Sequence, residues 1–198
     1  MTSLYVDPDE LKKTLAAAGT TFLDDDAENA CLAASAGLDL ELGRVFGQDQ
    51  EDVERLYTAL DPKALTINDL VSLTTLKTDE DGDGTFEITW AATDYVLEPL
   101  NASLDSQPYT KINVRPAGTH RFPTRYPGAV EVSGIFGWPS IPFQIIEAAG
   151  LIAEQLIQRK RSMPMGFALN GETAAYIIRN DPQINFLLKG LGRRTLLV

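Results

Sequence analysis

The stretch from Val130 to Met163 constrains this chain more than any other. Val130 and Val132 alternate with Glu131 and Ser133, which is the period of a strand with one apolar face. Gly137-Trp138-Pro139 then turns the chain. Pro139 and Pro142 suit the first turn of a helix, where a missing N–H costs nothing. Ile141, Ile145, Ala148, Ala149, Ile152 and Leu156 follow at helical spacing and predict one buried face. Arg159, Lys160 and Arg161 place cations at the negative end of that helix dipole, and Pro164 stops it.

Upstream, Asp7 before Pro8 is a helix-start signal, with Leu11 and Leu15 as the apolar face and Gly19 as the stop. Asp24, Asp25 and Asp26 open a second helix that is expected to run to about Phe46. Its Ala33, Ala34, Ala36, Gly37 and Gly43 suit close helix–helix approach. Residues 52–59 read as a short third helical turn. From Ala64 the pattern becomes β-branched and alternating, which predicts strands at 65–76, 86–90, 95–97, 109–114 and 130–136. Thr173 to Ile178 fits helix or strand, and Asp181-Pro182 opens a short helix over residues 183–189.

The expected fold class is therefore α+β: a small helical bundle with an inserted antiparallel β lobe and an extended C-terminal arm. The expected boundaries are 1–63 for the N-terminal helices, 64–136 for the lobe, 137–163 for the long helix and 164–198 for a docking arm. Trp138, with Pro139 and Pro142, is expected to anchor the strand-to-helix turn and to pack the lobe onto the bundle.

At 198 residues the chain can build a real core. No apolar run is long enough to span a bilayer, and the first residues lack the basic-then-apolar order of a signal peptide. The single cysteine, Cys31, excludes an internal disulfide and sits among Ala and Leu as a core residue would. The net charge of −11 is unevenly spread. Residues 1–110 carry 23 acidic against 6 basic side chains, and residues 111–198 carry 5 against 11. Such segregation favours attraction between parts of the chain or between neighbouring copies, and an acidic balance argues against sequence-reading DNA binding.

One run suggests metal chemistry. Asp79-x-Asp81-x-Asp83-Gly84 matches the first half of a calcium loop, in which alternate carboxylates surround the ion. The carboxylate expected six positions after the glycine is absent, because Trp90 stands there. Glu87 could replace it only in a different geometry. Asp and Gly are also what a hairpin tip requires, and a plain turn is the preferred reading. His120, the one histidine, has no recognisable catalytic or metal-binding companions and reads as a loop residue. There is no phosphate-cradling loop and no GxGxxG run. No cofactor is expected, and the chain is not expected to be an enzyme.

Taken in order, these pieces resemble a known family. The run from Val132 through Gly134, Phe136, Gly137, Trp138 and Pro139 to Pro142 leads into an Ala- and Leu-rich helix ending in Arg159-Lys160-Arg161. Asp181-Pro182 and Leu187-Leu188 follow near the end. Together with the early Asp-Pro-Asp-Glu-Leu, the Asp/Gly hairpin and Tyr95-x-Leu97-x-Pro99, this order resembles the head-to-tail adaptor proteins of long-tailed bacteriophages, particularly those infecting actinobacteria. The resemblance implies a structural protein of the virion neck. Such a protein forms a ring of twelve copies below the portal, extends the DNA channel without reading sequence, and receives a stopper or next neck protein. It implies portal and stopper as partners and no membrane contact. The residues expected to meet partners are Arg159, Lys160, Arg161, Tyr176, Ile178, Arg179, Phe186, Leu187, Leu188, Arg193 and Arg194. A calcium-binding extracellular β module displaying Asp79, Asp81 and Asp83 is the alternative.

Overall fold

The computed structural model describes residues 4–17, 19, 24–162 and 168–192. The chain is α+β and divides into two units. One unit is built from residues 1–47 and 141–198, and the other from the inserted residues 48–140.

Among the described residues the first unit holds five helices: α1 (Pro8–Ala17), α2 (Asp24–Leu42), α3 (Phe143–Ser162), α4 (Gly171–Asn180) and α5 (Pro182–Leu187). Asp7 caps α1, its carboxylate accepting from the Asp9 N–H at 2.9 Å. Gly43, at φ +61°, ends α2 earlier than the apolar pattern through Phe46 suggests. Leu11, Leu15, Ile145, Ile152 and Leu156 are buried as their spacing predicts, and Ala30, Cys31, Ala34 and Leu38 form the buried face of α2 at the same spacing. The small residues of α2 have the expected consequence. A Cβ on Gly37 would lie 2.4 Å from the Ala174 Cβ and 3.0 Å from the Gly171 carbonyl, so α4 approaches α2 at backbone distance. No helix among the described residues is long and apolar enough to cross a membrane.

Three expectations need correction here. The long helix begins at Phe143, so Pro139 lies in the bend before it and Pro142 precedes the first turn, its carbonyl accepting from Ile145 N–H at 2.9 Å. The C-terminal region is not an extended arm over residues 168–192. Asn170 caps α4 and Asp181 caps α5, and Ala174, Ala175, Ile177, Ile178, Ile184 and Leu188 are buried within the helical unit. The dispersed apolar pattern of this region is that of two short amphipathic helices separated by Asp181.

The third correction is β1 (Val53–Tyr57), where residues 52–59 suggested a helical turn. Val53 and Leu56 are exposed, and Arg55 and Tyr57 are the side chains that turn inward. Pairing with a neighbouring strand decides the conformation, as tertiary context often does over local propensity. The inserted unit therefore starts before Ala64.

The second unit also contains β2 (Ala64–Thr78), β3 (Ile88–Thr89), β4 (Tyr95–Glu98), β5 (Tyr109–Val114) and β6 (Val130–Phe136). All pairs are antiparallel, in the order β1-β6-β2-β5-β4, with β3 on β2. The long β2 serves three neighbours: its first part pairs with β5, its second with β6 and its end also with β3, with register shifts near Leu70 and Leu73. Leu65, Ile67, Leu70, Leu76, Ile112, Val130, Val132 and Phe136 form the core with Trp90 and Phe122. Because β6 is flanked on both sides, Glu131 and Ser133 are buried although their alternation suggested solvent. Lys77 neutralises Glu131 at 2.7 Å. The charge boundary near residue 110 does not coincide with a structural boundary, since Lys111 lies within β5.

Candidate functional site

The Asp-rich hairpin lies between β2 and β3. Asp79 is buried and caps the turn, one oxygen accepting from Gly82 N–H at 2.6 Å and the other from Gly84 N–H at 2.9 Å. Burial alone would raise its carboxyl, but these amide bonds outweigh it and hold the group below the usual carboxylate range. Asp81 and Asp83 accept from the amides of Asp83 and Thr85, at 3.2 and 2.7 Å. Gly82 and Gly84 adopt φ of +83° and +89°, which favours glycine. At Gly82 there is also no room, because a Cβ would come within 2.6 Å of the Tyr126 ring.

This tip gathers carboxylate oxygens of Asp79, Asp81, Asp83 and Glu87 within 4.8 Å of one another. Glu87 joins the set from three positions beyond Gly84. Oxygen ligands of this kind suit a hard divalent cation. Asp81, Asp83 and Glu87 are solvent-exposed.

The residues expected to meet partners are dispersed over the helical unit. Lys160 pairs with Asp26, and Arg179 pairs with Glu41 at 2.7 Å. Arg161 is exposed at the end of α3, and Arg159 is half-buried. Tyr176 and Phe186 are 59% and 77% exposed, so these two aromatic side chains remain available for contact. Ile178 and Leu188 are buried in the unit's own core, which corrects their assignment as docking anchors, and Leu187 is half-buried. Arg193 and Arg194 lie outside the described residues.

Trp138 is buried, and its indole N–H donates to the Asp69 carboxylate at 3.0 Å. Gly137 N–H donates to the Asp69 carbonyl at 2.8 Å, so one residue of β2 fixes both backbone and side chain of the Gly-Trp-Pro turn. His120 is a loop residue, as expected. It lies 5.5 Å from the Trp90 ring, which itself stacks on Phe122 at 4.7 Å, and its Nε2 is 4.0 Å from Asp94.

One polar pair escaped the sequence reading. The Tyr5 hydroxyl donates to the Asp39 carboxylate and accepts from Phe46 N–H at 2.9 Å, while Tyr5 N–H donates to Ser35 Oγ at 3.1 Å. The signal lay in α2, where Ser35 and Asp39 stand four apart in an otherwise Ala- and Leu-rich helix. Burial pushes the Asp39 carboxyl up to about 6, against the opposing effect of the Tyr5 bond. A raised carboxyl stabilises the folded form below its ordinary range, and that contribution fades as pH rises through about 6. Asp39→Asn keeps an acceptor for Tyr5 and is expected to remove this part of the pH dependence. Parent minus variant stability, from urea unfolding at pH 4 and pH 7, should differ by on the order of 1 kcal/mol. Equal differences at the two pH values would contradict the assignment.

Comparison with protein-family models, curated proteins and solved structures finds no match.

Proposed function

We propose that the chain is a structural protein of a bacteriophage neck, a head-to-tail adaptor that forms a ring between portal and stopper and extends the DNA channel. The reading is carried by the ordered run around Trp138, in which Gly-x-Phe-Gly-Trp-Pro joins a strand to a long helix ending in three cations. Exposed Tyr176 and Phe186 supply aromatic contact area of the type favoured at protein interfaces. Individual charged contacts between copies are weak, so the purified chain is expected to be monomeric and to form rings when portal is present. Mixing it with the portal protein of the same virus should give co-migration on size exclusion at low salt. Absence of co-migration at low and moderate salt would overturn the reading.

A second reading, a calcium-binding β module, is favoured by one observation, the four converging carboxylates at the hairpin tip. It predicts binding heat on calcium titration that Asp81→Ala abolishes. A parent protein without binding heat would remove it.

A further inference from the structure

The last turn of α3 carries Arg159, Lys160 and Arg161 at the negative end of the helix dipole. Asp26 holds Lys160. Arg159 and Arg161 form no ion pair among the described residues, although Asp181, held below the usual carboxylate range first by its bond from Gln155, also feels the charge of Arg159. Beside them lies a shallow cavity of about 440 Å³, lined by Gln155, Gln158, Arg159 and Ser162. Gln155 already donates to the Asp181 carboxylate at 2.6 Å and Ser162 to the Gln158 carbonyl at 3.1 Å, which leaves the Gln158 amide and the Arg159 guanidinium, whose planar fork matches a carboxylate, to receive a further group. The groove is therefore suited to an anion rather than to an apolar group.

The hairpin tip is its electrostatic opposite. Glu80, Asp81, Asp83 and Glu87 are exposed, and none has a cationic side-chain partner among the described residues. The tip is also fixed in advance by the amide bonds to Asp79 and by the packing of Tyr126 on Gly82. A pre-ordered tip gives up little conformational entropy when it docks.

We infer that the polar groove at the end of α3 receives the acidic hairpin tip of a second copy of this chain. Arg159 and Arg161 of one copy then meet Asp81 and Asp83 of the next. Groove and tip are different surfaces, so the contact is head-to-tail, the type that closes a ring when the rotation permits. The inference deepens the ring reading given above, and it rests on charge complementarity that can be measured without portal. Each ion pair is weak, so association depends on repetition and is sensitive to salt.

Disulfide trapping in the full chain tests it. Cys31 is buried and its thiol is pushed up to about 11, first by burial, so it does not compete under mild oxidation. Thr85→Cys places a thiol at the tip and Gln158→Cys places one at the groove, and both positions are exposed. An equimolar mixture of the two variants should give mixed dimers well above the statistical share, and a chain carrying both should give a ladder of multimers. Adding Arg159→Glu should reduce trapping roughly fivefold, which is about 1 kcal/mol. Dimers in statistical ratio would overturn the inference. So would a doubly substituted chain that closes only on itself, or a tip that binds calcium and gives no ladder with or without the ion. A ladder from a protein that never co-migrates with portal would sink the neck reading alone. Co-migration without a ladder would sink this contact alone.

Discussion

Replacing Trp138 by alanine is expected to destabilise the β unit by about 3–5 kcal/mol, the usual cost of truncating a buried tryptophan. The side chain is 6% exposed, so nearly all its apolar area returns to water on unfolding. A second loss adds to the first. The indole N–H donates to Asp69, itself buried, and removing that donor weakens the solvation of a carboxylate that has little access to water. Trp138→Phe separates the two effects, since it keeps an aromatic ring and deletes the donor. It should cost about 1.5–3 kcal/mol, the range for a hydrogen bond to a charged group. Urea unfolding followed by circular dichroism checks both, because removing a tryptophan disturbs fluorescence. A midpoint within error of the parent for Trp138→Ala would show that the residue does not anchor the turn.

The Trp138 result also shows what the sequence could reveal. The strand-turn-helix order from Val130 was legible because periodicity changes from two to 3.6 across an unmistakable turn. Asp69 was not legible as its partner. A carboxylate in an alternating strand reads as a solvent-facing residue, and nothing local indicates that a residue of the β6–α3 turn, 69 positions away, will cover it. The same limit hid β1, whose partner β6 lies far along the chain, and the buried Glu131, whose charge is balanced by Lys77 on the adjacent strand. Local chemistry did specify the hairpin. Asp79, Gly82 and Gly84 build its turn by hydrogen bonds spanning no more than five residues. Glu87 belongs with them because β3 follows at once. The helical surface lies between these cases. Spacing found the buried faces of α2 and α3, but which apolar residues of α4 and α5 turn inward depended on caps at Asn170 and Asp181 that set the phase of each helix.

Gly134→Ala is expected to be among the most damaging small substitutions in the chain, and Gly150→Ala to have the opposite sign. Both add one methyl group, and both remove the extra backbone freedom of glycine in the unfolded chain, which by itself favours alanine by about 0.5–1 kcal/mol. Their surroundings decide the outcome. Gly134 lies in β6, opposite Val53 of β1 and Leu73 of β2. The register shifts of β2 on either side of this point bring the Ser72 carbonyl inward, and an alanine Cβ would lie 2.1 Å from that oxygen and 3.2 Å from the Leu73 Cα. These are backbone atoms of the strand paired with β6, so no side-chain rotation relieves the overlap. Relief requires moving β2 away from β6, at a cost of about 3 kcal/mol, the upper end for overpacking, which exceeds the entropic gain. Gly150 lies within α3 with nothing within 4 Å of its added Cβ, so the helix-propensity gain of about 0.8–1 kcal/mol is realised. Urea midpoints measured at equal slope should fall for Gly134→Ala and rise for Gly150→Ala. A Gly134→Ala midpoint at or above the parent value would show that β2 can yield there, and that the close approach of Ser72 is not what requires glycine.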